Sequence, residues 1–222
     1  MFENDVRKSY WINSTKSLNK SACPNVSLFR FIGSLISSLN KKVILEIGFN
    51  DGCDILECKK RGAISYGVDI NPLAVESLKK DINVEVLNAG VDKIPFNEKF
   101  DLIFIRDTIY YLKDDEINFL LLDIYSNLKN DGIFILQFIE KDIRLEKYDP
   151  LLPVNFKLFE NSSIDPIYPS NNPIRFLKSK NLIENAIKNN FNLVATKRLI
   201  QSYDLNEERF RIERYLAFKI NK

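Results

Sequence analysis

Histidine is absent from the 222 residues of this chain. That absence removes at once the most frequent general base of enzymes and the most frequent protein ligand for metals. Any catalysis must therefore rest on carboxylates, tyrosines, lysines or a bound cofactor, and no metal centre is expected. Glycine is scarce, with seven in the whole chain, so each one carries positional information. The three cysteines, Cys23, Cys53 and Cys58, form neither a disulfide framework nor a CxxC pair, which suits a reducing compartment. Long hydrophobic runs are missing too. The N-terminus, MFENDVRKSYW, has no apolar signal core, and the stretch from Ile133 to Ile139 is interrupted by Gln137 and too short to span a bilayer. Nor is there an excess of one charge: 32 Lys and Arg against 30 Asp and Glu leave +2, too little for a footprint on a phosphate backbone. These absences point to a soluble cytoplasmic protein with no membrane and no nucleic-acid partner.

What is present is an ordinary globular balance, 45% hydrophobic and 28% charged, in a length that suits one domain. From Val26 to Leu39, the apolar positions Leu28, Phe31, Ile32, Leu35, Ile36 and Leu39 follow the spacing of a helix with one buried stripe. Val43 to Ile47 then reads as a short buried strand, followed by a glycine loop and a helix from Asp54 to Lys60 that closes near Gly62. Ile64 to Val68 is the next strand, and Asn71-Pro72 supplies a cap residue and a proline at the first helical position. Val84 to Leu87 and Phe100 to Ile105 read as the third and fourth strands, the unbroken LIFI of the latter indicating burial on both faces. A helix from Asp114 to Leu128, an Asp131-Gly132 turn and a fifth strand complete the alternation. Such alternation predicts an open, doubly wound α/β sheet. A helix near 176–189 and strands at 192–200 and 210–220 predict a terminal antiparallel pair.

Ligands of such sheets bind beyond the carboxyl ends of the strands. The first strand leads into Glu46-Ile47-Gly48-Phe49-Asn50-Asp51-Gly52, and the second ends on Asp69, about the offset at which an acid grips ribose hydroxyls. Gly48-x-x-x-Gly52 is not the GxGxxG spacing of dinucleotide sites, and the loop holds no arginine for a phosphate. The ligand predicted is a nucleoside without phosphates.

At this point the sequence resembles the class I S-adenosylmethionine-dependent methyltransferases. VILEIGFNDG is similar to their first motif, YGVDINPLAVESL to the second, NAGVDKIPF to the adenine segment, FDLIFIRDTIYYL to the fourth-strand motif and LKNDGIFILQF to the fifth-strand segment, in that order. The resemblance implies a seven-stranded sheet of order 3-2-1-4-5-7-6 with strand 7 antiparallel, and S-adenosyl-L-methionine as cofactor. It implies that Glu46 and Gly48 face the methionine end, Asp69 the ribose, Ile70 the adenine, and Gly90-Val91 the adenine edge, with Phe49, Asn50, Gly52 and Arg106 completing the cofactor site. The family's frequent Asp is replaced here by Gly90, which shifts that contact to backbone groups or Asp92. Asp107, Tyr110 and Tyr111 fall where the family places groups near the transferred methyl, so Asp107 is the candidate base and the tyrosines the candidate acceptor wall. The Tyr10-Trp11 pair falls in a segment that often folds over the cofactor.

The whole chain, 1–222, is expected to form one domain, with 1–40 as a helical cap and 141–175, which holds five of the eight prolines, as a lid within it. Four of the seven glycines, Gly48, Gly52, Gly67 and Gly90, fall in the cofactor segments. The function implied is methyl transfer to an O or N atom of a small-molecule acceptor. A non-catalytic protein that keeps the fold, and an enzyme acting on protein or RNA, are the alternatives; the oligomeric state is not read from the sequence.

Overall fold

The computed structural model describes residues 11–12, 23–80, 84–91, 93–142, 157–158, 173–174, 177–202 and 210–221. Helix α1 (Val26–Leu35) precedes β1 (Val43–Ile47), α2 (Cys53–Lys60), β2 (Ile64–Asp69), α3 (Pro72–Leu78) and β3 (Val84–Asn88). Next come β4 (Phe100–Arg106), a 3₁₀ turn (Ile109–Tyr111), α4 (Asp114–Asn127), β5 (Leu128–Asp142), the two-residue strands β6 (Lys157–Leu158) and β7 (Pro173–Ile174), α5 (Ser179–Lys188), β8 (Phe191–Ser202) and β9 (Phe210–Ile220). The main sheet has the order β3-β2-β1-β4-β5-β9-β8. Its first five strands are parallel, and β9 runs antiparallel to both β5 and β8. Counting only this sheet, the order is 3-2-1-4-5-7-6, as the resemblance implied.

Local chemistry explains most boundaries. Asn71 caps α3 by accepting from Leu73 N at 3.0 Å, with Pro72 at the first position. Gly62, at φ 86°, closes α2. The helix expected to reach Leu39 ends at Leu35 instead, because Ile36 turns extended before Ser37 and Ser38, which compete poorly for helix. Strand β5 starts at Leu128, three residues before the Asp131-Gly132 turn, since Leu128 already pairs with Phe100 and the turn bulges out of the ladder.

Leu28, Phe31 and Ile32 of α1 pack on one face of the sheet with Ile44, Leu102, Phe104 and Tyr215. On the other face, Ile117, Leu120, Leu121 and Ile124 of α4 pack over Ile103, Ile105, Phe134 and Leu136. Phe134 stacks on Phe218 at 5.7 Å between centroids, with Phe191 against both.

At the amino end of β4, Asp101 accepts from Val43 N at 2.9 Å, Lys42 Nζ at 3.2 Å and Lys129 Nζ at 2.7 Å. Burial alone would raise its pKa; these donors outweigh it and hold the carboxyl below its usual value. A carboxyl with a lower pKa in the folded than in the unfolded chain contributes stability above the ordinary aspartate pKa of about 3.9, and loses it as the pH falls through the folded value. Asp101→Asn is expected to lower Tm at neutral pH and to flatten the decline of Tm below about pH 5. Thermal melts across that range check it; an acid limb as steep as that of the wild type would count against the clamp.

Candidate functional site

In this strand order the chain leaves β1 on one side for β2 and β3 and returns on the other for β4, so the crevice between the carboxyl ends of β1 and β4 is the switch point. The loop after β1 is built on positive φ values at Gly48 (76°), Asn50 (48°) and Gly52 (76°). Only glycine adopts such angles without steric cost, and asparagine tolerates them better than most residues. Gly48 also packs tightly against the segment that follows β4, since a Cβ there would lie 2.2 Å from Thr108 Oγ1.

Asp69, buried at the end of β2, ties this loop down. Its Oδ2 accepts from Asn50 N at 2.7 Å and its Oδ1 from Asn71 N at 2.8 Å. Burial raises the Asp69 pKa, and the donated N–H bonds from Asn71, Asn50 and Ile70 only partly oppose it. The next loop is drawn in by Asn88 Nδ2, which donates to the carbonyls of Asp69 and Ile70 at 2.9 Å each. Half-buried Gly90 and Val91 follow at that end, while Asp92 lies outside the described residues.

Glu46 is 1% exposed on β1, and its Oε2 has no hydrogen-bond partner among the described residues. Burial, then the charge of Asp54, push its pKa well above the usual glutamate value, against the lowering effect of Arg106. Arg106, at the end of β4, forms an ion pair with Asp54 and a second with Asp107 Oδ2 at 3.5 Å. Burial would lower the Arg106 pKa, but these carboxylates more than offset it, so the guanidinium stays charged. Asp107 itself stands at φ 53°, its N–H shared between Gln137 Oε1 at 3.1 Å and the Gln137 carbonyl at 3.2 Å.

The structure thus gathers Glu46, Gly48, Asn50, Gly52, Asp69, Ile70, Gly90, Val91, Arg106 and Asp107 at the carboxyl ends of β1 to β4. It redirects others. Phe49 is buried among Ile55, Ala74, Val75, Leu78, Val84 and Val86, so its ring belongs to the core and not to a ligand site. Gly67 makes room for Phe49 and Ile55, and Gly52 faces Leu78, so these two glycines serve packing as well as the loop. Tyr110 is buried in the main core, which takes it out of an acceptor wall. Arg106 reaches the site but spends its guanidinium on two carboxylates. Tyr111 remains half-buried at the surface of that core, with Trp11 edge-on at 5.1 Å. The N-terminal Trp therefore does come to the end of β4; Tyr10 lies outside the described residues.

Sequence reasoning missed Asp54, which reads as an ordinary acid in the first turn of a helix yet is buried, and Gln137, whose only signal was a polar residue inside IFILQFI. Among the described residues no cluster of side chains could hold a metal ion, and no helix is long and apolar enough to cross a membrane.

A glycine loop at the switch point, an acid ending the next strand and a reversed seventh strand give a doubly wound α/β domain with a candidate crevice beyond β1, β2 and β4. The model of the methyltransferase-domain family matches residues 44–132. A ribosomal protein L11 methyltransferase of Carboxydothermus hydrogenoformans is 30% identical over 129 residues, 55% of this chain and 41% of that protein. A tRNA U34 carboxymethyltransferase of Ruthia magnifica is 31% identical over 126 residues, 53% of this chain and 38% of that protein. The matches thus span about two fifths of each relative's length. The structure of magnesium protoporphyrin IX methyltransferase from Synechocystis, with S-adenosylhomocysteine bound, superposes with a TM-score of 0.64 over 88% of this chain and 80% of that one, at 14% identity, and shares its fold. The chain has the fold of the class I S-adenosylmethionine-dependent methyltransferases, and its residues 44–132 are similar to the methyltransferase-domain family.

Proposed function

We propose that the protein transfers a methyl group from S-adenosylmethionine to an O or N atom of a small-molecule acceptor. The observation that carries this reading is the pair of buried carboxylates flanking the Gly48 loop: Asp69, which accepts from the backbone of Asn50, Asn71 and Ile70 and still has acceptor capacity, and Glu46, whose Oε2 has no partner among the described residues. They fit a ligand with a vicinal diol at one end and an ammonium at the other. When bound, the cofactor supplies a methyl group already activated on a sulfonium, so the chain's part is alignment and exclusion of water. Asp69 would hold the ribose, Ile70 and Gly90-Val91 the adenine, and Glu46 with the Gly48 to Gly52 backbone the amino-acid end.

Asp107, 27% exposed just beyond β4, would take the proton of a hydroxyl acceptor. A neutral amine acceptor would need no base. Tyr111 and Trp11 would line the acceptor side, with residues 1–40 as a cap and 141–175 as a lid in one domain; the backbone of β7 already lies against the 3₁₀ turn that holds Tyr111. Most of 141–175 lies outside the described residues. The similar proteins are named for a ribosomal protein, a tRNA and magnesium protoporphyrin IX, so the family does not select the acceptor. The balanced charge of the chain favours a small molecule over RNA.

Calorimetric titration with S-adenosylhomocysteine tests the reading; no binding by the intact chain would return it to a non-catalytic protein that keeps the fold. A pH dependence is also expected. Glu46 has a raised pKa, so it is protonated at low pH and becomes the anion an ammonium needs only as the pH rises through that value. Affinity for S-adenosylhomocysteine should therefore increase with pH on the acid side, and Glu46→Gln should weaken binding and remove that dependence. The same slope in both proteins would assign it to another group.

A further inference from the structure

We infer that Asp54, through its ion pair with Arg106, keeps Glu46 free to take the ammonium of the cofactor, which makes Asp54 a positioning residue of the amino-acid subsite. The inference rests on the reading of this site as an S-adenosylmethionine site.

Asp54 stands in the first turn of α2 with its side chain wholly buried. Its Oδ1 accepts from the backbone N of Asn25, the cap residue of α1, at 2.7 Å. This bond fixes the rotation of the carboxylate and aims its other oxygen at Arg106 Nε. Arg106 is held a second time by Asp107, at 3.5 Å from Nη1. The guanidinium is thus claimed by a carboxylate on α2 and another beyond β4.

Glu46 lies close enough to feel the charges of both Asp54 and Arg106, yet its buried Oε2 has no partner. A buried carboxylate oxygen without a partner is unfavourable until a cation arrives, and Arg106, the cation whose charge acts on Glu46, is paired with Asp54 and Asp107. The arrangement suits Glu46 to a ligand ammonium. Without the Asp54 charge, Arg106 would turn to Glu46 and a ligand would have to displace it. With both members of the pair removed, Glu46 would again stand free, because breaking a buried pair is costly where deleting it whole is often nearly neutral.

The test is titration of the full chain with S-adenosylhomocysteine and with 5′-methylthioadenosine, which has the same nucleoside and no amino-acid end. Asp54→Asn is expected to weaken S-adenosylhomocysteine on the order of ten- to a hundredfold, the worth of one hydrogen bond to a charged group, while 5′-methylthioadenosine binds as before. The double variant Asp54→Asn/Arg106→Met is expected to recover most of the lost affinity. Equal weakening of both ligands by Asp54→Asn would mean a merely structural role and overturn the inference. So would a double variant as weak as the single one, which would make Arg106 itself a contact of the ligand. If Asp54→Asn does not fold, the double variant against the wild type decides: near-normal binding of both ligands supports the inference, and selective loss of S-adenosylhomocysteine overturns it. A wild-type chain that binds neither ligand would overturn the cofactor reading as well, which separates the two failures.

Discussion

Asp69→Ala is expected to lower affinity for S-adenosylhomocysteine by at least two powers of ten. Two kinds of contact are lost together. The carboxylate joins the loop after β1 to the loop after β2 through Asn50 N and Asn71 N, at 2.7 and 2.8 Å. In the proposed complex, its remaining lone pairs take the ribose hydroxyls. Hydrogen bonds to a charged group contribute roughly 1.5–3 kcal/mol each. Loss of two to the ligand is therefore worth about 3–6 kcal/mol, two to four decades in Kd. The freed N–H groups add a further penalty, since the left-handed conformation of Asn50 is held by one of them. Asp69→Asn retains one acceptor oxygen and should fall between alanine and the wild type. Calorimetry on the three proteins checks the order, and an alanine variant that binds within tenfold of the wild type would remove Asp69 from the cofactor site.

Phe218→Ala should produce the largest loss of stability among single substitutions at a distance from the site. Phe218 is fully buried on β9, stacked on Phe134 with Phe191 edge-on, and pairs with the amino end of β5, away from the loops that follow β1 and β4. Deleting such a ring costs about 3–5 kcal/mol, because neighbours on a sheet cannot collapse into the space. For a chain of this size, that corresponds to a Tm lower by on the order of 10 °C. Binding of S-adenosylhomocysteine below the transition should remain. A shift of only a degree or two would mean that the β5-β9-β8 half repacks far more readily than the stacked geometry implies.

Both predictions concern features of different legibility. β1 and β9 were read to their observed ends, because continuous or alternating apolar runs bounded by glycine, asparagine and charged residues admit few other conformations. The end of α1 was not legible, since Ile36 and Leu39 continue the helical spacing while the backbone has already turned extended; Leu39 is buried from a loop instead. The inward turn of Phe49 and Tyr110 is not legible for a related reason. Each sits in a motif whose neighbours line the site, but adjacent residues in a tight loop point to opposite sides, and an aromatic ring goes wherever the core has room. For Phe49 that room is the space over Gly67.

From sequence alone came the alternation of strands and helices, the reversed terminal pair, the absence of histidine chemistry and the carboxylates after β1 and β2. These are local or periodic properties, set by spacing and residue type. Tertiary structure alone decided which charges meet. Asp54 and Arg106 are separated in the chain by β2, α3, β3 and most of α2 and β4, and nothing in their spacing distinguishes them from surface charges; folding buries them together, and burial turns a nearby pair into a selective one because water no longer screens it. The missing histidine excludes imidazole chemistry and leaves carboxylates among the groups that remain. The fold then divided their work, tying Asp69 to two loops, committing Asp54 and Asp107 to Arg106, and leaving Glu46 with an unpaired oxygen.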